Sequence, residues 1–391
     1  MNSLIAEHLI EAIKDIVSPP CPLHEPLFIG NESKYVHECI SSGWVSTVGS
    51  FVDRFEEMLC EFTGSDFAVA TVNGTSALHV ALLLAGVSED CEVFMPSLSF
   101  VATANAVAYC GAIPHFIDIE RTNLGLDPSV LSAHLEQNFV RTGSHWINKA
   151  TGRRAGAIVP VHAFGHPCDI EAICEVGKTF GIPIVEDAAE SLGSYYKDRH
   201  TGTFGESGIL SFNGNKVVTC GAGGAILTQD EELQKRAKHL TTTAKQPHPW
   251  EYFHDQIGFN YRMPNLNAAL GCAQLESLPE FLERKRTLFQ KYKATLTKLE
   301  DIQLVEEPEH CRSNYWLQTI ILKSEEASNS RDSVLHQLNQ QGILARPAWI
   351  PLNQLPMYSS CPSTTLDVTN AIVPRLINLP SGPKLMQEEY A

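Results

Sequence analysis

The sequence lacks the features that mark membrane, secreted or nucleic-acid-binding chains. No apolar run is long enough to span a bilayer. The N-terminal MNSLIAEHLIEAIKDIVSPP is interrupted by Glu7, Glu11 and Asp15, so it has neither the basic start nor the unbroken apolar stretch of a signal peptide, and it predicts a surface helix. Basic residues are outnumbered, 29 Lys and Arg against 45 Asp and Glu. The formal charge of −16 argues against nucleic acid or an anionic membrane as the main partner. Any bound phosphate must then be held by local dipoles and a few placed groups. The eleven cysteines form no C-x-x-C pair and are odd in number, which argues against a disulfide framework and predicts reduced thiols in a cytoplasmic protein. There is no internal repeat and no low-complexity tract.

What is present is the composition of a soluble enzyme: 43% hydrophobic and 19% charged residues exclude a disordered chain. With 391 residues, two packed domains are expected. After an extended arm, PPCPLHEPLF, residues 31–64 suggest two helices around the turn SSGWVSTVGS. From FAVATV onward, short β-rich runs alternate with helical segments as far as IPIVEDAA, which implies parallel βαβ units with functional loops at the strand C-terminal ends. Residues 137–156 are less regular and read as an insertion. Beyond about residue 230 long helical patterns take over, and a boundary inside KQPHPWEYF divides the chain into 1–248, a large α/β domain with an N-terminal arm, and 249–391, a smaller α+β domain.

Four segments carry chemistry. VNGTSAL joins a strand to a helix, with Gly74 allowing the turn and Thr75 and Ser76 placing hydroxyls and N–H groups at a helix start suited to phosphate. PIVEDAAES ends a strand on Glu186 and Asp187, where α/β ligands bind. GILSFNGNKVVTCGAGG sets Lys216 between an apolar strand and a glycine-rich turn. A lysine in a dry pocket loses its proton readily and suits Schiff-base chemistry, and Ser211, Asn213 and Asn215 beside it suit a phosphate. PSLSFVATANA puts Phe100 in a loop where it can stack on a flat ring or fill the core. His162 and His166 in VHAFGH lack a third ligand at useful spacing, so no metal site is expected.

Together with VHAFGHPCD and GFNYRMPNLNAALG, these segments resemble the DegT–StrS type of pyridoxal-phosphate-dependent sugar aminotransferases, and the likeness runs from about residue 22 to Ala391. The resemblance implies an aspartate-aminotransferase-like (type I) α/β fold, with a mostly parallel seven-stranded sheet flanked by helices and a smaller C-terminal domain. It implies pyridoxal 5′-phosphate as cofactor, Lys216 as its Schiff-base residue and proton carrier, and Asp187 against the pyridine nitrogen. It also implies Phe100 on the ring, and Gly74, Thr75, Ser76, Ser211 and Asn213 around the phosphate. Asn260 would reach the phosphate of a neighbouring subunit, so a homodimer is implied. His162 is expected near the sugar by the same resemblance, while Tyr315 and Trp316 in SNYWLQ are aromatics that can touch the sugar or fill the core.

One position departs from many relatives: Glu190 stands where glutamine faces the cofactor's phenolic oxygen. Glutamate there, with GWVSTVG and EDAAESLGSYYKDRHTGTFG, resembles a subgroup acting at C4 of UDP-linked 4-keto-6-deoxy-N-acetylhexosamines with glutamate as amino donor. The alternatives are amination at C3 and a non-catalytic regulatory protein of the same fold. Sugar-dehydrating relatives carry histidine at the lysine position, and Lys216 stands against that reading.

Overall fold

The structure, a computed structural model, describes residues 2–323 and 328–386. Helices α1 (Asn2–Lys14), α2 (Glu32–Ser42) and α3 (Ser50–Thr63) precede an alternating region. It runs β1 (Phe67–Thr71), α4 (Gly74–Leu84), β2 (Cys91–Pro96), α5 (Val101–Tyr109), β3 (Ile113–Ile117) and α6 (Pro128–Asn138). The hairpin β4 (Phe139–Thr142) and β5 (His145–Asn148) follows, then β6 (Arg154–Ile158), α7 (Ile170–Phe180) and β7 (Val185–Asp187). Two short strands, β8 (Tyr195–Tyr196) and β9 (Arg199–His200), lead to β10 (Ser207–Ser211), β11 (Gly224–Thr228) and α8 (Glu231–Thr241).

The residues explain where these elements begin and end. Asp127, Asp169 and Asp230 each accept backbone N–H groups in the first turn of α6, α7 and α8, while Gly43, Gly64 and Gly181 close α2, α3 and α7 in the left-handed conformation. Strands β1, β11, β10 and β7 pair side by side, and β3, β2 and β6 do likewise. Parallel pairings at Ile158–Ile184 and Val161–Asp187 join the two sets, so the order is β1-β11-β10-β7-β6-β2-β3 with only β11 reversed. The segment read as an insertion is the β4–β5 hairpin, which borders the first residue of β6. Helix α4 crosses this sheet almost wholly buried. Its Leu78, Val80 and Leu82 lie at 0–1% exposure, each contributing about 1.5–3 kcal/mol on burial.

The C-terminal elements are α9 (Asn265–Leu296), β12 (Ile302–Leu304), β13 (Cys311–Arg312), β14 (Gln318–Leu322), α10 (Ser328–Gln340), β15 (Arg346–Pro347), α11 (Asp367–Ile372) and β16 (Leu376–Leu379). Four of these strands form an antiparallel sheet ordered β12-β14-β16-β15. The division expected at residue 248 does not follow the cores. Helix α1, expected with the large domain, packs through Leu9 and Ile13 into a core with Leu288, Ile320 and Val334. The first half of α9 belongs instead to the core containing Phe55 and Phe212. This one helix therefore ties both cores together, because its apolar positions continue through both. The eleven cysteines are all free, and among the described residues no helix is long and apolar enough to cross a membrane.

Candidate active site

A cleft of about 340 Å³ opens at the C-terminal ends of β7 and β10, where α4 and α5 begin. Two glycines make the approach possible. A Cβ on Gly74 would lie 2.9 Å from the Ser211 Cβ, and one on Gly224 would lie 2.4 Å from the Asn73 carbonyl carbon. These contacts press the start of α4 against the strand ends. Asn73 caps the helix by accepting the Ser76 N–H at 2.8 Å, while Gly74 and Thr75, whose N–H groups have no partner within a helix, line the cleft. Ser76 is buried and does not line it.

Lys216 sits at the tip of a loop closed at its base by the Cys220 N–H donating to the Phe212 carbonyl at 2.9 Å. Its Nζ donates to Glu190 Oε1 at 3.4 Å and lies 3.8 Å from the centre of the Trp316 ring. The other carboxylate oxygen of Glu190 accepts the Phe164 N–H at 2.9 Å. Burial pushes Glu190 up to about 7, against the pull of Lys216 and the Phe164 N–H, while nearby Asp187 adds to the rise. Asp187 is held from behind. Oδ2 accepts the Thr103 hydroxyl at 2.8 Å, that hydroxyl is 2.7 Å from Ser99 Oγ, and Oδ1 accepts the Ala189 N–H at 3.2 Å. Burial nevertheless raises its pKa above the ordinary carboxylate value. Ser211 and Asn213 line the cleft, with Asn213 donating to Asn215 at 2.9 Å. Phe100 lines it too and is 52% exposed.

Two expected substrate residues are elsewhere. His162 is fully buried behind β7, where Nδ1 accepts the Cys168 N–H at 3.2 Å and Nε2 donates to Glu186 at 3.1 Å. Tyr315 stacks on Phe289 at 3.9 Å inside the second core. Tyr315 has a φ of 47°, and it is the next residue, Trp316, that lines the cleft. His166 is buried against the edge of the Tyr315 ring. Asn260 is exposed and outside this cleft, paired antiparallel to Thr242.

Sequence reasoning missed Thr103 and Trp349, and it offered Tyr315 and Trp316 of SNYWLQ alike, of which only Trp316 lines the cleft. Thr103 was legible as the residue three beyond Phe100 at a helix start. No local signal distinguishes Trp316 from Tyr315 or draws Trp349 in from the C-terminal unit.

A lysine beside buried carboxylates, at strand ends facing a helix N-terminus, is the arrangement of an α/β enzyme that handles carbonyl and amine carbons through a phosphate-bearing cofactor. Residues 28–391 match the DegT/DnrJ/EryC1/StrS aminotransferase family, and the chain belongs to it. It is a pyridoxal-phosphate-dependent aminotransferase. The chain is 36% identical to "GDP-perosamine synthase" of Escherichia coli O157:H7, over 94% of its own length and 95% of the relative's. It is 37% identical to "Putative pyridoxal phosphate-dependent aminotransferase EpsN" of Bacillus subtilis, over 94% and 92%. Among solved structures, the aminotransferase TlmJ from Streptoalloteichus hindustanus superposes with a TM-score of 0.82 at 27% identity, covering 92% of this chain and 93% of that one.

Proposed function

We propose that the chain transfers an amino group from glutamate to C4 of a nucleotide-linked 4-keto-6-deoxy sugar, in two half-reactions at one cleft. The observation that carries this reading is Lys216 Nζ standing 3.4 Å from Glu190 in the cleft that Asp187 and the start of α4 share.

The residues fit pyridoxal phosphate: the close approach at Gly74 brings the start of α4 and its N–H groups up against Ser211 at the cleft, and Asp187, Glu190 and Lys216 line the same cleft. When bound, the cofactor supplies an aldehyde carbon and an electron-withdrawing ring. Lys216 is assigned to hold that aldehyde end and to move the proton at the reacting carbon. Asp187, aligned by Thr103 and Ala189, is placed to keep a ring nitrogen protonated. A cation against it would offset its burial. Gly74, Thr75, Ser211 and Asn213 are assigned to the phosphate and Phe100 to the ring face. Glu190, its carboxyl raised to about 7 by burial, would offer the bound cofactor a proton that titrates near neutral pH, which a glutamine does not have.

The name carried by the E. coli relative supports a GDP-linked sugar. Glu190 and the phrases GWVSTVG and EDAAESLGSYYKDRHTGTFG support a UDP-linked N-acetyl sugar. The test begins with the visible spectrum of the protein with pyridoxal phosphate, before and after glutamate. A band shift to shorter wavelength is expected, and a bound cofactor that glutamate leaves unchanged would remove glutamate as donor. UDP- and GDP-linked 4-ketosugars then follow, with NMR of the product. An amine at C3, or no turnover of either sugar, sinks the assignment.

A cytoplasmic homodimer is proposed as the working form. Asn260 follows a segment in which Trp250 is 77% and Tyr252 83% exposed, as a face covered by a second subunit would be. Asn260→Ala should weaken cofactor retention about tenfold, by loss of a phosphate contact. Unchanged retention in dialysis would remove that role.

A further inference from the structure

The cleft has a polar side, which the proposed chemistry uses, and an aromatic side, which it does not. Phe164 is held in the left-handed region, φ 58° and ψ 11°, a conformation costly for a bulky residue and kept only where the surroundings demand it. Its N–H goes to Glu190 at 2.9 Å, and its carbonyl accepts the Leu317 N–H at 3.2 Å. That fixed backbone lays the Phe164 ring flat on Trp349, with centroids 4.9 Å apart and planes 16° from parallel. Trp316 lies nearly parallel to Trp349 as well, at 18° and 6.4 Å. Its indole N–H donates to the Asn215 carbonyl at 2.8 Å, and its own carbonyl accepts from the buried Lys285 Nζ at 3.1 Å. Two indoles thus line the cleft in near-parallel planes, each fixed from behind. Trp316 is already engaged by Lys216 Nζ. Trp349 is partly exposed, its ring meeting those of Phe164, Trp316 and, at 6.3 Å, Phe100.

We infer that Trp349, set by Phe164 and Trp316, is the platform for the pyranose ring of the ketosugar and the residue that separates sugar from amino donor. The inference rests on the ketosugar reading above. A pyranose ring presents a face of C–H bonds, weakly positive and apolar, and a 6-deoxy sugar extends that face with a methyl group. A flat, electron-rich indole is its complement. Glutamate has a short chain between two carboxylates and no such face, so the platform contributes to one half-reaction and little to the other. Such a residue acts through binding of one substrate and therefore appears in a KM rather than in the chemistry.

The test uses holoenzyme carrying Trp349→Leu, which keeps apolar bulk without a flat face, and Trp349→Phe, which keeps a ring against Phe164. The ketosugar is whichever of the UDP- and GDP-linked 4-keto-6-deoxyhexoses the wild type turns over. Ketosugar KM in the Leu variant is expected to rise about tenfold or more, the loss of a stacked aromatic partner. Glutamate KM should move by less than about threefold, and the glutamate-driven band shift should persist. The Phe variant should show a smaller rise, about threefold, and carries the test if the Leu variant fails to fold. Unchanged ketosugar KM overturns the platform while leaving the proposed function intact. Equal rises for both substrates also overturn it, since a merely loosened cleft would behave that way. A wild-type holoenzyme that reacts with glutamate but turns over no ketosugar overturns both readings.

Discussion

Two buried acidic clusters lie on either side of the end of β7, one residue apart in sequence and opposite in character. Glu186 points away from the cleft and is saturated: it accepts the N–H groups of Gly202, Phe204 and Gly205 and the imidazole of His162. Burial alone would push its pKa up, but these hydrogen bonds together hold it below its ordinary value. Asp187 and Glu190 face the cleft with fewer donors, and burial wins for both. A saturated buried carboxylate is finished structure. An undersupplied one beside a lysine still has something to bind, which is the usual state of a catalytic site. The same contrast appears at the other end of the sheet, where buried Glu92 is satisfied by His115, Asn148 and Thr151 and locks the β4–β5 hairpin.

The comparison can be broken by exchanging effects between the two clusters. Lys216→Ala should lower turnover by about a thousandfold or more and remove the yellow colour of the holoenzyme while the fold persists. Residual transamination at the wild-type rate would take Lys216 out of the chemistry. Glu186→Ala should act the other way, lowering unfolding free energy by about 3–5 kcal/mol, because three backbone donors and His162 lose their acceptor. Denaturant unfolding at neutral pH measures this, and a loss below about 1 kcal/mol would mean the cluster is not structural.

Glu190→Gln sharpens the contrast through pH. A carboxyl raised to about 7 in the folded protein binds more protons than in the unfolded chain, so wild-type stability from this group is present at low pH and lost as pH rises toward 7. Glutamine does not titrate. In the cofactor-free protein, the stability of Glu190→Gln relative to wild type should therefore increase between pH 5 and pH 8. A difference that stays flat would place the Glu190 pKa in the ordinary range. The smallest effect is expected from Thr103→Val, which removes one donor to Asp187 and should raise the cofactor's dissociation constant by about three- to tenfold. Fluorescence titration with pyridoxal phosphate reads it, and wild-type affinity would show that Asp187 needs no help in alignment.

Much of this site is local in sequence and could be read there. The strand-to-helix turns NGTSAL and PSLSF, the acidic strand end EDAAES and the lysine turn SFNGNK are each contained in a few residues, and alternation of strand and helix places them at one end of a sheet. The errors share one cause. In NYWLQ it is the packing of Tyr315 on Phe289, in the second core, that leaves Trp316 to the cleft, and in PVHAFG His162 is drawn away by Glu186, itself anchored to residues 202–205. Helix α1 was placed with the wrong core because amphipathic spacing shows that a face is buried but not against what.

The amino-acid sequence by itself determined the type of fold, the family and the cofactor, and it singled out the lysine and aspartate proposed to serve it, since period, turn chemistry and motif order are properties of short segments. The tertiary structure alone decided the rest. It set Glu186 apart from Asp187, turned Trp316 rather than Tyr315 to the cleft, brought Trp349 across from the C-terminal unit and joined α1 to the second core. Those choices depend on partners outside the segment, from the loop after β7 for Glu186 to the C-terminal unit for α1, where no short-range pattern can specify a contact.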